Sequence, residues 1–373
     1  MAICKRPAAA VAMGGQAVNK KRKVVVAKRT WPGPSGIKKA AVIKKPAAYA
    51  TTADYEEEKT CLGEGAFGVV FKARHRVTGQ TVAIKHLASP PPEVDAAECP
   101  DPREQLLREA RFLEACSGNP HVVGFHGVVL NPSTTKLGLV MDFVAGQSLR
   151  DILDERQDRS APPPPEATVR AFMRQLLTGA KGVHERNVVH RDIKPANLLL
   201  TEGEEVLKIC DFGLAISASD PPPHSEAGTM PYAAPEVLLG KPDIDSLVDA
   251  WSIGCVMAEL VGGEMLLLRA GVEEALLEMQ RLYAEEIIYL WTIFGLLGTP
   301  DEVEWPGFAS LPRAAKIPAL KPGQRSRLRE LFPEETLSEE GFEVMEGLLT
   351  CNPDKRLTAA DALKLPWFAG DED

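Results

Sequence analysis

Long apolar runs are missing from this chain. No stretch of about 18 uninterrupted apolar residues occurs, which argues against a membrane-spanning helix, and the basic start at Lys5 and Arg6 is not followed by the apolar core of a secretion signal. Cysteine is sparse and unpatterned. Cys4, Cys61, Cys99, Cys116, Cys210, Cys255 and Cys351 are an odd 7, scattered and without a C-x-x-C pair. That fits neither a disulfide framework nor a structural zinc site, and points to a reducing compartment. His75, His86, His121, His126, His184 and His224 show no metal-ligand spacing with those cysteines either, so surface or core roles are expected of them. No internal repeat of about 20 to 50 residues is visible. What remains is ordinary globular composition over 373 residues, 45% hydrophobic and 25% charged. It is enough chain for one large domain or two coupled ones.

Acidic side chains are absent from Met1 to Ala53, which holds 12 Lys and Arg; the other 31 basic residues face all 52 acidic ones between Asp54 and Asp373. The net charge of −9 therefore averages a cationic head and an anionic body. The head is rich in Ala, Pro, Gly and Lys and has no strand or helix period. It cannot bury enough apolar surface to offset its ordering entropy, so residues 1–53 are expected to be disordered. Three readings stay open for its cluster Asn19-Lys20-Lys21-Arg22-Lys23-Val24. It could be a signal read by a nuclear import receptor, a solvated charge run, or an arm making nonspecific, salt-sensitive contact with nucleic acid. For the head as a whole an organelle transit peptide stays open too, although the segment is poor in Ser and has more Lys than Arg.

From Asp54 onward, short β-branched runs such as Gly68-Val69-Val70-Phe71 and Thr81-Val82-Ala83-Ile84 alternate with turn signals, including Thr78-Gly79, and predict a small antiparallel sheet. After Arg150 the period changes. Val169, Phe172, Met173, Leu176, Leu177 and Ala180 fall on one helical face. In the strand-rich part, Gly63-Glu64-Gly65-Ala66-Phe67-Gly68-Val69 reads G-x-G-x-x-G-x-V, whose glycines let backbone approach phosphates without interference from Cβ. Strands rather than a following helix enclose it, so a nucleotide-covering hairpin fits better than a dinucleotide-binding turn.

Four more motifs follow in order: Val82-Ala83-Ile84-Lys85, His190-Arg191-Asp192-Ile193-Lys194-Pro195-Ala196-Asn197, Asp211-Phe212-Gly213 and Ala234-Pro235-Glu236. From about Tyr55 to Phe368 the chain resembles the protein kinase family. The resemblance implies a bilobal α+β protein kinase fold over 54–370, with a sheet-plus-helix N-lobe (54–141), a hinge (142–144), a mainly helical C-lobe (145–370) and a short acidic tail (371–373). It also implies ATP and Mg²⁺ as cofactors. Phosphoryl transfer passes through a loose transition state with dispersed negative charge, so the protein's task is to position reactants and neutralise oxygens.

The resemblance gives each motif a share of that task. Lys85 would hold the α and β phosphates and pair with Glu109, with Glu104 as the alternative helix carboxylate. Leu62, Gly63, Glu64, Gly65, Ala66, Phe67, Gly68, Val69 and Val70 would cover ATP, with Asp142 and Val144 of the hinge beside it and Met141 behind. Asn197 and Asp211 would ligate Mg²⁺ through oxygen, and Asp192 would accept the proton of the attacking hydroxyl. Lys194, two residues on, resembles the serine/threonine version of the loop. His190, Arg191 and Asp249 match positions that support the loop, and Glu236 and Arg356 a buried ion pair. Cys210 reads as a small packed side chain.

Ala234 to Gly240, Trp251 to Glu259 and Leu297 to Gly307 are similar to the cyclin-dependent kinases and their wider CMGC group. Four features depart from that group. Arg103-Glu104-Gln105-Leu106-Leu107-Arg108-Glu109 replaces the cyclin-contacting P-S-T-A-I-R-E, which leaves a cyclin partner open. Ala66 and Phe67 have no hydroxyl where relatives carry inhibitory phosphosites. His224 takes the place of the activating Thr, making Ser225 the expected phosphosite, paired with Arg191. Ala233 replaces an Arg linked to preference for proline after the target residue. Two insertions are also expected, Ser89 to Pro102 and Met265 to Glu286. In the second, Val272, Ala275, Leu276, Met279, Leu282 and Tyr283 predict an extra or lengthened helix.

The expected activity is transfer of the γ-phosphoryl group of Mg·ATP to Ser or Thr of protein substrates, in the nucleus or otherwise the cytoplasm, without a membrane partner. The rival expectations are a catalytically silent kinase-fold scaffold and a nuclear protein acting mainly through its basic head.

Overall fold

The computed structural model describes residues 50–65, 68–87, 101–203, 206–220, 224, 227–318 and 324–369. The head cluster, Ala66, Phe67, most of the first insertion, Ser225 and the acidic tail lie outside them. The chain divides into two compact units, Met1–Leu107 with His126–Phe143, and Arg108–Phe125 with Val144–Asp373.

The first unit is built on six strands: β1 (Ala50–Thr51), β2 (Tyr55–Gly65), β3 (Gly68–His75), β4 (Thr81–His86), β5 (Phe125–Leu130) and β6 (Leu137–Asp142). They lie in the order β1-β5-β6-β4-β3-β2. β2, β3, β4 and β6 pair antiparallel, and the Thr78-Gly79 signal marks the β3–β4 turn, where Gly79 takes φ 74°. Strand alternation sends Val82 and Ile84 into a core with Ala73, Val129 and Val140, against which Tyr55 packs. Lys85 falls with Ala83 on the opposite face, aligned with Val70 of β3 and Leu139 of β6. One finding departs from expectation. β1 lies inside the segment read as disordered, and it pairs in parallel with β5, Ala50 opposite Val129 and Thr51 opposite Leu130. An edge pairing of two residues draws on backbone groups and needs no apolar pattern, so composition carries no sign of it.

The second unit is mainly helical. The helix α1 (Pro102–Ala115) runs across the division at Leu107, and α2 (Leu149–Asp158) and α3 (Glu166–His184) follow the boundary at Val144. The α3 stripe buries Val169, Met173, Leu176, Leu177 and Ala180, as its 3.6 period requires. Next come β7 (Val188–Val189), the hairpin β8 (Leu198–Leu200) and β9 (Leu207–Ile209), and β10 (Ile216–Ser217), which returns to β7. After the short α4 (Pro235–Leu238), α5 (Leu247–Gly262) is buried at every position from Val248 to Val261. A helix buried on all sides belongs at the centre of a unit, and α5 is that centre, with Asp249, Ser252 and Glu259 as its buried polar side chains.

The second insertion, expected to hold an extra or lengthened helix, holds more than one short helix. It forms α6 (Leu266–Arg269), α7 (Val272–Met279) and the start of α8 (Glu285–Leu297). Val272 and Ala275 are buried, whereas Leu282 lies past the end of α7 and is 79% exposed, so the apolar stripe stops one turn early. The remaining helices are α9 (Leu328–Leu331), α10 (Glu339–Leu348) and α11 (Ala359–Ala362). Glu236 and Arg356 form the expected buried pair, with contacts of 2.6 and 2.8 Å and side chains 2% and 0% exposed. No described helix is long and apolar enough to cross a membrane.

Candidate active site

In the first unit, β2 and β3 form the glycine hairpin, with Gly63 opposite Val70, Glu64 opposite Val69 and Gly65 opposite Gly68. Its glycines do different jobs. A Cβ on Gly68 would sit 2.1 Å from the His86 carbonyl oxygen, and Gly68 also has φ 140°, so the sheet itself demands glycine there. A Cβ on Gly63 would meet nothing within 4 Å. The fold does not need that glycine, and the open space it leaves is what a phosphate-covering backbone requires. Leu62 and Val70 complete the described part of the hairpin; Ala66 and Phe67 at its tip are outside it. Lys85 is 5% exposed, although an ammonium group is costly to bury, and it is not without a partner. Met141 and Asp142 end β6, and His126 Nε2 lies 2.9 Å from Asp142 Oδ1. Val144 opens the second unit. On α1, Glu109 is 2% exposed and has partners, while Glu104 faces solvent.

In the second unit the chemistry gathers around Asp192, which is 3% exposed. Its Oδ1 accepts from Thr229 Oγ1 at 2.7 Å, and its Oδ2 from Asn197 Nδ2 at 3.0 Å and Lys194 Nζ at 2.9 Å. Lys194 Nζ also donates to Thr229 Oγ1 at 2.7 Å, closing a triangle of carboxylate, ammonium and hydroxyl. Thr229 is the residue that sequence reasoning missed. It lies 37 positions from Asp192 in a stretch without a motif of its own, and only folding gives it a role.

The β8–β9 hairpin brings the two expected metal ligands together. Leu198 pairs with Ile209, so Asn197 and Cys210 flank the open end, and the Cys210 N–H donates to the Asn197 carbonyl at 3.0 Å. Asp211 follows directly. Asn197 spends its amide nitrogen on the Asp192 backbone and side chain, at 2.8 and 3.0 Å, so its side-chain Oδ1 is the atom that could ligate a metal. An amide oxygen beside a carboxylate is a hard donor set that suits Mg²⁺. Within the second unit the Asn197 and Asp211 oxygens thus fit Mg²⁺, and within the first the open space at Gly63 suits backbone that covers phosphates.

The loop holding Asp192 is strained and heavily supported. Arg191 and Asp211 have φ of 67° and 64°, a region non-glycine residues rarely occupy. Fully buried Asp249 accepts the backbone N–H of Arg191 at 2.7 Å and of His190 at 2.8 Å, and His184 Nε2 at 2.9 Å. Burial alone would raise the Asp249 carboxyl, but the His184 hydrogen bond, the nearby His190 and the backbone donor hold it below the usual carboxylate range. His190 accepts the Asp192 N–H at Nδ1 and so carries its proton on Nε2, which donates to the Cys210 carbonyl at 3.0 Å. Burial, helped by the neighbouring Arg108 guanidinium and opposed by Asp249, brings Arg191 down to about 10. Its Nε donates to the Leu214 carbonyl at 2.7 Å. No His, Cys, Asp and Glu cluster of metal-site type occurs among the described residues.

The motifs, the hairpin and the Asp192 hub agree with the comparisons to known proteins. Residues 55–368 match the family model described as protein kinase domain. The rice protein named "Putative cyclin-dependent kinase F-2" (Oryza sativa subsp. japonica) is 43% identical over 315 residues, covering 82% of this chain and 88% of its own length. Cyclin-dependent kinase G1 of Arabidopsis thaliana is 37% identical across 82% of this chain, which spans 48% of that longer relative. Rice cyclin-dependent kinase B2-1 is 35% identical, with 84% of this chain and 90% of the relative covered. The two-residue strain, the buried carboxylate and the five ordered motifs therefore have one common explanation: the chain belongs to the protein kinase family, as a serine/threonine kinase of cyclin-dependent-kinase type that uses ATP with Mg²⁺.

Proposed function

We propose that Asp192 is the catalytic base of transfer from Mg·ATP to a Ser or Thr hydroxyl of a protein, with Lys194 and Thr229 holding it in place. The observation that carries this reading is the convergence on one buried carboxylate of an ammonium, a hydroxyl and an amide, each within 3.0 Å. Bound Mg·ATP supplies the phosphoryl group and charge neutralisation. Asp192 orients the acceptor hydroxyl and takes its proton, and Lys194 offsets negative charge beside it. Asn197 and Asp211 present oxygens to the metal, and the glycine hairpin covers the phosphates with Lys85 as their cation and Glu109 as that lysine's partner. Asp142 and Val144 would contact the nucleotide at the chain crossing. Replacing Asp192 by Asn should lower phosphate incorporation about 10²- to 10⁴-fold in a protein that a thermal melt shows still to be folded. Equal incorporation by wild type and Asp192→Asn would sink the assignment and favour a silent scaffold.

Protein partners and location belong to the same proposal. The names of the relatives support a cyclin as activating partner, and assays run with and without candidate cyclins test it against the altered Arg103 to Glu109 segment. The Lys20 to Lys23 cluster supports nuclear entry through an import receptor. A fluorescent fusion still nuclear after loss of those four residues would refute that part. Salt-independent behaviour towards nucleic acid, unchanged on deletion of Met1 to Ala53, would remove any role of the head as a nucleic-acid arm.

A further inference from the structure

The second unit carries a groove of about 490 Å³, a size ordinary for a ligand site. Its walls come from the end of α8, from α9 and α10, and from the loop between Thr350 and Leu357. None of the residues lining it takes part in the contacts around Asp192, so phosphoryl transfer leaves it without a role. Leu297, Pro300, Leu349 and Leu357 make its apolar walls. Exposed Glu304, Glu343 and Glu346 add three carboxylates, against the single ammonium of Lys355.

Those carboxylates are held in place by the fold. Glu343, Glu346 and Gly347 follow i, i+3, i+4 and so share one face of α10, while Phe342, Val344, Met345 and Leu348 are buried. Gly347 lets the opposite wall come close: a Cβ there would lie 2.3 Å from Leu357 Cδ1, and the Leu357 N–H donates to the Gly347 carbonyl at 3.0 Å. Glu304 is pinned through its backbone. Its N–H donates to Asp301 Oδ1 at 2.8 Å, and its carbonyl accepts from Asn352 Nδ2 at 2.7 Å. Like charges three positions apart on a helix repel each other, and such a pair is relieved by a cation. Glu339, at the start of the same helix, has one in Arg329 at 2.9 Å. Among the described residues Glu304, Glu343 and Glu346 have none, and Lys355 is itself unpaired.

Apolar walls beside unpaired carboxylates match a chain segment that mixes Lys or Arg with aliphatic residues. The long stems lie on the leucines while the charged heads reach the glutamates. A small monovalent amine answers one carboxylate, whereas a peptide brings several cations to carboxylates drawn from two separate elements. The anionic body, with 31 basic against 52 acidic residues from Asp54 onward, draws such a segment in. We propose that this groove docks a basic, aliphatic-rich segment of the kinase's protein substrates, so that the preferred substrates carry such a tract in addition to the acceptor hydroxyl. The inference rests on the kinase reading above and deepens it.

The test uses the full chain, with a fluorescein-labelled synthetic peptide of alternating Lys and Leu as probe and linker histone as phosphate acceptor. Wild type should raise the probe's anisotropy, and a peptide of alternating Glu and Leu should show no rise. Glu343→Lys combined with Glu346→Lys should weaken probe binding at least tenfold and raise KM for histone at least fivefold, with kcat and KM for ATP unchanged. Ser326→Trp, which fills the groove without altering its charge, should do the same. Reversing two other exposed glutamates, Glu274 and Glu278 of α7, should change either reading less than twofold. The proposal is overturned if the probe does not bind wild type, if the α7 reversals weaken it as much as the α10 pair, or if Ser326→Trp matches wild type in binding and kinetics. A groove that takes the probe only after Met1 to Ala53 is deleted would belong to the chain's own head, which overturns it too. Wild type no more active than Asp192→Asn would defeat the kinase reading instead, while anisotropy would still decide whether the groove takes a basic segment.

Discussion

Replacing Arg356 by Met keeps a long apolar stem but removes the guanidinium from a fully enclosed site. Its partner Glu236, 2% exposed, would then be a buried carboxylate with no cation, a loss of about 3 to 5 kcal/mol. The carbonyls of Thr350, Leu247 and Cys351, which accept from Arg356 at 2.8, 2.8 and 3.0 Å, would also lose their donor. Each such loss costs about 1 kcal/mol or more, though the contributions share one side chain and do not simply add. A total near 5 kcal/mol is a large part of the stability of an ordinary domain and should lower the melting temperature by about 10 to 20 °C. Adding Glu236→Gln removes the orphaned charge while leaving the carbonyls as they are. The double variant should recover about 2 to 3 kcal/mol, seen by calorimetry at neutral pH as a melting temperature well above that of Arg356→Met. A double variant as unstable as the single one would refute the reasoning, because the loss would then lie in the carbonyl contacts and not in the uncompensated carboxylate.

Gly68→Ala places a methyl group 2.1 Å from the His86 carbonyl at a φ of 140° and should destabilise the hairpin in thermal melts, whereas Gly63→Ala, whose methyl meets open space in the fold but would crowd a phosphate there, should leave stability nearly unchanged and raise KM for ATP. Asp249→Asn puts an amide nitrogen against backbone donors and should cost about 1 to 3 kcal/mol with a marked fall in kcat. The Asp249 carboxyl is depressed in the fold, so its stabilising share is whole at neutral pH and is lost only as acid carries it through that lowered value. The stability gap between wild type and Asp249→Asn should therefore stay constant down to about pH 4 and narrow below it, which acid-series thermal melts can follow. Burial pushes the Cys351 thiol up to about 12 and the Cys116 thiol to about 11. Neither should be alkylated by iodoacetamide at pH 8 on the timescale on which unfolded protein reacts fully, as peptide mapping would show.

Much of the site was legible because its parts are short and local. The spacing of Asp192, Lys194 and Asn197 is set within one loop, Asp211 closes a two-strand hairpin that begins beside Asn197, and strand alternation alone puts Lys85 on the face opposite Val82 and Ile84. The period of α3 likewise showed which of its residues would be buried. Less legible were features that rest on the backbone or on chance meetings of distant segments. The pairing of Ala50 and Thr51 with β5 left no mark in composition, and the extra helix read from the stripe Val272 to Tyr283 is present as α7 but ends at Met279, before Leu282 and Tyr283.

The order and internal spacing of the five motifs, and the apolar periods around them, belong to the sequence by itself, because contacts between residues a few positions apart are fixed by covalent geometry. Tertiary structure decided which distant groups meet: Thr229 with Asp192, Asp249 with the His190 and Arg191 amides, and His224 with Pro242 and Ile244. Those encounters depend on how α5, the β8–β9 hairpin and the α4 loop are packed, and no one-dimensional pattern records a hydrogen bond between a hydroxyl and a carboxylate that lie many residues apart.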